Sequence, residues 1–196
     1  MKNIIRKIIK AILHFLIIVV YRVKITGKEN IPKTGSYIIC GNHIHALDAA
    51  FVVLCAKRKI VFMVKSELYK SAFMRFLGNT FDMIPVKRGA KDLEAMKKSL
   101  KVLKTGGILG IYPEGTRKGM EKQEKLKTGA AFLALRSNTK VIPVGIKGNF
   151  KPFSRVIVNY GVPLDFSEYQ SSKPEKEILE KVTNEIMDHV IKLTNM

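Results

Sequence analysis

The chemistry in this chain centres on Asn42-His43-Ile44-His45-Ala46-Leu47-Asp48. Histidine exchanges protons near neutral pH more readily than any other side chain. A carboxylate on its second ring nitrogen would fix the tautomer and stabilise the cation. His43 and Asp48 lie five positions apart. On a continuous helix that spacing separates side chains by about 140°, so the pair meets only if the chain turns between them. Taken alone, the stretch leaves three readings open. His43 could be a general base oriented by Asp48, working on a hydroxyl that attacks an activated carbonyl. His43-x-His45 with Asp48 could hold a metal. Or His43 is a structural residue at a helix start. Cys40 is an unpromising nucleophile for His43, because an odd separation along a strand points two side chains to opposite faces.

Two further polar clusters carry anion-binding chemistry. In Pro113-Glu114-Gly115-Thr116-Arg117, the glycine allows a tight turn whose amides could face an oxyanion. Arg117 offers a bidentate fork for phosphate. Arg88, beside Gly89 in Lys87-Arg88-Gly89, offers a second.

The flanking segments show what must position these groups. Strands are expected at Tyr37 to Gly41, Ile60 to Val64, Phe81 to Val86, Ile108 to Tyr112, Val141 to Ile146 and Val156 to Tyr160. Pro85 puts the third of these at an end or edge. Helices are expected at Leu47 to Ala56, at Ser66 to Leu77 closed by Gly78-Asn79, at Asp92 to Lys104, Thr128 to Arg136 and Pro174 to Leu193. Alternating strands and helices imply an α/β fold, a largely parallel twisted sheet flanked by helices. Ligands gather beyond the carboxyl ends of strands in such sheets. The clusters at 42–48, 87–89 and 113–117 each follow a strand, which argues for one shared site.

Residues 2–21 stand apart. Asn3, Arg6, Lys7, Lys10 and His14 form one narrow helical stripe, and isoleucines and Leu13 fill the remaining arc. The apolar run 11–21 is shorter than the roughly 20 residues of a standard span. Tyr21-Arg22-Val23-Lys24 follows it in place of a small-residue cleavage site. An interfacial helix over 1–22 is therefore expected, ahead of a catalytic domain over 23–196, with basic groups at anionic headgroups and isoleucines among acyl chains. The formal net charge of +19 calls for polyanionic partners. No acidic residue precedes Glu29. A peripheral or monotopic place on the cytoplasmic face of the cell membrane fits both features. Charge alone also suggests nucleic-acid binding. That would need basic residues clustered with exposed aromatics, whereas tryptophan is absent and the basic residues are dispersed or flank the apolar helix. Nucleic acid is not an expected partner.

Together the clusters resemble the glycerolipid acyltransferases typified by 1-acylglycerol-3-phosphate acyltransferase. Asn42-His43-x-x-x-x-Asp48 resembles their His-x4-Asp block. Ile84-Pro85-Val86-Lys87-Arg88 resembles a second block, in which an arginine ends an apolar strand. Tyr112-Pro113-Glu114-Gly115-Thr116-Arg117 is similar to a third, with tyrosine where phenylalanine is usual. Val141-Ile142-Pro143-Val144 resembles a fourth. The blocks occur in order over about residues 40–146. The resemblance implies O-acyl transfer from acyl-CoA or acyl-carrier protein to the sn-2 hydroxyl of lysophosphatidic acid, giving phosphatidic acid. Another lysolipid or an amino-acid lipid is the alternative acceptor. It implies His43 as base, Asp48 as its orienting partner, and no cofactor or metal. Arg88, Glu114, Gly115, Thr116 and Arg117 would bind the acceptor's phosphate and glycerol, and Pro143 would shape an acyl-binding wall. His45 stands where the family often has a small polar residue.

Overall fold

The computed structural model describes residues 1–56, 58–87, 92–117 and 125–196, the side chains of Leu54 and Cys55 excepted. Among these residues β1 (Arg22–Thr26), β2 (Tyr37–Gly41), β3 (Ile60–Lys65), β4 (Ile84–Val86), β5 (Ile108–Ile111), β6 (Val141–Gly148) and β7 (Arg155–Tyr160) form one seven-stranded sheet. Its order is β1-β7-β6-β2-β5-β3-β4. Every neighbouring pair is parallel except β6 with β7. β2 lies in the middle and every residue in it is buried, as expected for a parallel strand covered on both faces. β4, which contains Pro85, is the edge strand at one end.

The helices are α1 (Lys2–Val20), α2 (Asp48–Cys55), α3 (Ala72–Phe81), α4 (Leu93–Lys104), α5 (Gly129–Ser137) and α6 (Lys176–Asn195). On one face of the sheet, Ile38, Cys40, Leu109 and Val141 pack with Leu103 of α4, Leu133 of α5 and Ile186 of α6. On the other, Ile39, Phe62, Ile108 and Ile142 pack with Ile17 of α1 and with Phe51 and Val52 of α2. Alternate residues of each strand feed opposite layers, as the two-residue period of a strand requires. α4 is fixed at its start by Asp92, whose Oδ1 accepts the Ala95 N–H at 3.0 Å.

The boundaries around α3 differ from expectation: Phe81 ends the helix, and the strand expected from Phe81 begins only at Ile84. The segment after β3 is a 3₁₀ turn, Ser66–Lys70, followed by α3, which runs through Gly78 to Phe81. Gly78 does not end the helix. It makes room for the Tyr69 ring: a Cβ there would come within 2.3 Å of the Tyr69 hydroxyl. Asp82, in the left-handed region at φ 55°, supplies the C-cap.

α1 is docked by its polar stripe. Arg6 donates through Nη2 and Nε to the Thr80 carbonyl at 2.7 and 3.0 Å, and through Nη2 to Asp82 at 2.9 Å. Lys2 and Lys59 also pair with Asp82, and Lys10 Nζ donates to the Ala56 carbonyl at 2.5 Å. The basic groups expected at lipid headgroups are thus partly occupied by the domain itself. Ile17 is the helix's buried apolar anchor. Ile4, Ile8, Ile12, Phe15, Ile18 and Val19 face outward, each more than half exposed. An amphipathic helix on a soluble core normally shows the reverse arrangement. No helix among the described residues is long and apolar enough to cross a membrane.

Partial burial pushes the Asp82 carboxyl up, but hydrogen bonds from Lys2 and Lys59 outweigh it and hold it below its ordinary value. A depressed carboxyl pKa contributes attachment that is complete above the unfolded value and is lost as pH falls through the folded one. Asp82→Asn should therefore free the first turns of α1 at neutral pH. Hydrogen exchange of amides 5–12 should accelerate while the β2 amides keep their protection. Unchanged exchange in α1 would show that Asp82 is not its clasp.

Candidate active site

Parallel β2 and β5 end side by side, with Cys40 in register with Ile111. The chain beyond each carboxyl end builds the site. Beyond β2, Asn42 is 2% exposed. Its Nδ2 donates to the Ile146 carbonyl and its Oδ1 accepts the Ile146 N–H, both at 2.8 Å. This two-bond clamp ties the loop to β6 and satisfies a buried amide that would otherwise be costly. The next residue, His43, donates its backbone N–H to Glu114 Oε1 at 2.8 Å.

Asp48 opens α2 and is 0% exposed. Its Oδ2 lies 2.8 Å from His43 Nδ1 and accepts the N–H groups of Ile44 and His45, also at 2.8 Å. The loop therefore folds back on the carboxylate of the helix it precedes. This is the turn that the five-residue spacing demanded. A carboxylate only accepts, so Nδ1 carries the proton and Nε2 is left as the basic nitrogen. The His43 side chain is 23% exposed, so it is reachable from solvent while Asp48 is sealed.

Tyr112, at the end of β5, stacks on the His43 ring with centroids 4.5 Å apart and planes at 15°, and on Phe62 at 6.0 Å. Burial first, then the charges of Asp48 and Tyr160, push its phenol well above its ordinary value. It stands as a neutral wall against which the imidazole is fixed.

The 113–117 turn differs from expectation at Gly115. Gly115 adopts φ 68°, but its N–H donates to the Tyr112 carbonyl at 2.9 Å, so that amide closes the turn instead of facing an anion. Glu114 is 1% exposed and holds the His43 backbone. Thr116 is half-buried and Arg117 exposed at the same carboxyl edge. Arg88 lies outside the described residues. Pro143 pairs with Cys40 in the sheet interior. Its neighbours by strand alternation, Val141 and Gly145, meet α6, so its ring lies on the face opposite Tyr112.

His45 stacks on Phe150 at 4.4 Å, and its Nδ1 accepts the Leu47 N–H at 3.3 Å. It shapes the turn, and a paired His43/His45 metal site is not what the geometry assembles. Among the described residues no three His, Cys, Asp or Glu side chains converge on a metal position. Cys40 belongs to the opposite core layer, and burial pushes its thiol well above its ordinary value, far from a nucleophile. Asn42 and Tyr112 are the residues whose roles sequence reasoning missed. The signal for Asn42 was a polar side chain at the end of a buried strand, which must find partners.

A family model described as Acyltransferase matches residues 22–147. This chain belongs to the acyltransferase family. The matched span contains the His43/Asp48 loop and the 113–117 turn. The acyltransferase is 29% identical over 185 residues to the 1-acyl-sn-glycerol-3-phosphate acyltransferase of Borreliella burgdorferi, covering 87% of this chain and 71% of the relative. It is 27% identical over 180 residues to the enzyme of that name from Bacillus subtilis, covering 88% of each. In three dimensions it is similar to the crystal structure of the 1-acyl-sn-glycerophosphate acyltransferase PlsC from Thermotoga maritima. The TM-score is 0.75 at 22% identity, over 100% of this chain and 82% of that one. The α/β fold with its mostly parallel sheet is shared.

Proposed function

We propose that this acyltransferase moves a fatty acyl chain from a thioester carrier to the sn-2 hydroxyl of 1-acyl-glycerol-3-phosphate, giving phosphatidic acid. The observation that carries the reading is the His43–Asp48 pair, 2.8 Å apart, set at the carboxyl edge of the sheet in a chain of this family. His43 Nε2 takes the proton of the acceptor hydroxyl as its oxygen bonds to the thioester carbonyl carbon. The tetrahedral intermediate then collapses, the C–S bond breaks, and the proton on Nε2 passes to the departing thiolate. Asp48 holds the Nδ1–H and balances the imidazolium formed between the two steps. Glu114, through the His43 N–H, sets the height of the loop.

Arg117, with Arg88, is assigned to the acceptor phosphate. Arg117→Ala should raise the acceptor KM about tenfold to a hundredfold with a smaller change in kcat, since it removes binding common to ground and transition states. An unchanged acceptor KM would remove Arg117 from the phosphate site. The acceptor's own chain stays in the bilayer, and residues 1–22 form the interfacial segment. Outward isoleucines support this, as does a groove of about 490 Å³ along α1 lined by Lys7, Lys10, Ala11, His14, Phe15 and Ile18, which combines apolar wall with cationic rim.

The deciding experiment is a mass-spectrometric assay of purified enzyme with lysophosphatidate and related lysolipids, each offered with acyl-CoA and with acyl-carrier protein. Phosphatidate formed from lysophosphatidate supports the reading, and the productive donor identifies the carrier. Turnover only with a lysolipid lacking the terminal phosphate monoester overturns the acceptor.

A further inference from the structure

α1 is not the only element that turns apolar side chains outward. In the segment after β3, Leu68 is 42%, Phe73 66% and Phe76 50% exposed. Phe73, Phe76 and Thr80 follow the three-then-four spacing of one helical stripe. Thr80, at the far end of that stripe, is 6% exposed, and its carbonyl accepts the Arg6 guanidinium of α1. The two rings are therefore the open end of a stripe whose other end lies beneath the first turns of α1.

Strand directions fix the rest. β3 runs parallel to β2 and β5, through β5, so its end at Lys65 lies on the same edge as His43. The 3₁₀ turn Ser66–Lys70 and the first turn of α3 follow from that edge. The first turns of α1 lie against Asp82, at the far end of α3, and the helix finishes where Tyr21 meets Phe51 in the first turn of α2. α1 and α3 thus run in opposite senses, and Phe73 and Phe76 stand toward the catalytic end of the pair.

We infer that Leu68, Phe73 and Phe76 form a second lipid-contact element, which with α1 tilts the catalytic edge of the sheet onto an anionic bilayer. The inference rests on the reading of α1 as interfacial. Lys70 and Arg75 are exposed beside the rings, an arrangement of basic rim and aromatic centre that suits the boundary of an anionic membrane. Glu67, the acidic neighbour, is paired with Lys65 at 3.3 Å. A second copy of this chain is a poor occupant, because it would bring a charge of +19 against the same charge. Contact through two elements fixes orientation as well as depth. A single helix can roll about its axis, whereas a helix and a ring pair hold the His43 edge at the level where an acceptor's headgroup and hydroxyl sit.

The chain contains no tryptophan, so single reporters can be introduced at exposed positions. Phe73→Trp reports on α3 and Phe15→Trp on α1. Each full-length variant would be mixed with vesicles of phosphatidylglycerol and phosphatidylethanolamine, with and without bromine-labelled lipid. The expected result is a blue-shifted emission and bromine quenching for both. A response from Phe15→Trp alone overturns the second contact and leaves α1 as the membrane element. No response from either overturns both readings. A blue shift of Phe73→Trp that grows with protein concentration and needs no lipid assigns the patch to self-association and also overturns the inference. Phe73→Ser with Phe76→Ser should lower vesicle partitioning at least about tenfold, equivalent to 1.4 kcal/mol. Undiminished partitioning of that double variant counts against the contact.

Discussion

His43→Ala is expected to reduce acyl transfer by about a thousandfold or more while the protein stays folded. General-base assistance is typically worth about 10²- to 10⁴-fold, and among the described residues no other side chain is placed to substitute. Cys40 is buried in the opposite layer, and His45 is engaged elsewhere, its ring stacked on Phe150 and its Nδ1 accepting the Leu47 N–H. The fold should tolerate the change. The His43 backbone N–H still reaches Glu114, the Asn42 clamp on β6 is untouched, and the imidazole is already 23% exposed. Asp48 keeps its bonds to the Ile44 and His45 amides. The loss of one charge-assisted hydrogen bond should cost about 1.5–3 kcal/mol of stability, a visible but survivable drop in Tm. The measurement is single-turnover formation of acylated lipid by mass spectrometry, alongside thermal unfolding. Turnover within tenfold of the parent, in a variant with an intact melting transition, would remove His43 as the base.

That prediction draws on a part of the site that is legible in the amino-acid sequence alone. The alternation of apolar strands with helical patterns fixed the α/β class, because each element must bury one face against another. The polar clusters at 42–48 and 113–117 announced the edge that carries the candidate site, because both follow buried runs that read as interior strands. The relation between the clusters was less legible. The glycine turn suggested the Gly115 amide as an anion-facing group, and the family resemblance implied Glu114 as an acceptor-binding one. In the structure the Gly115 amide is consumed in its own turn and Glu114 reaches across to the His43 amide. The first is a local turn; the second depends on β2 and β5 being neighbours, a pairing between residues about seventy positions apart that no local pattern encodes. Pro143 is a similar case: a fourth block beside the others in the sequence sits on the far face of the sheet, because strand alternation decides which way its ring points. The orientation of α1 was also hidden. Its stripe of basic residues was visible, but Asp82 and the Thr80 carbonyl, which turn that stripe inward, belong to α3 and its cap.

Asp48→Asn should lower kcat about 10²- to 10⁴-fold with little change in either substrate's KM. In the proposed mechanism Asp48 combines two tasks that the substitution separates. One is mechanical: Oδ2 gathers the Ile44 N–H, the His45 N–H and His43 Nδ1 at 2.8 Å each. An amide oxygen can take over those three contacts, so the loop should keep its path. The other is electrostatic: a sealed negative charge beside the imidazole favours the cation that forms when Nε2 accepts the hydroxyl proton, and a neutral amide gives that up. The new NH₂ group would stand where Oδ1 now lies buried with no hydrogen-bond partner, adding a destabilisation of about 1–3 kcal/mol. The two tasks separate experimentally. If Asp48 acts through the charge on His43, the rate of the asparagine variant stays low after its stability is restored by lower temperature, and the acidic limb of its pH–rate profile moves to lower pH, because that limb reports the base's affinity for the proton. If Asp48 only holds the loop, lowering the temperature restores the parent rate and the profile does not move. The second outcome would reduce Asp48 to a structural cap of α2 and leave His43 to work without a charged partner.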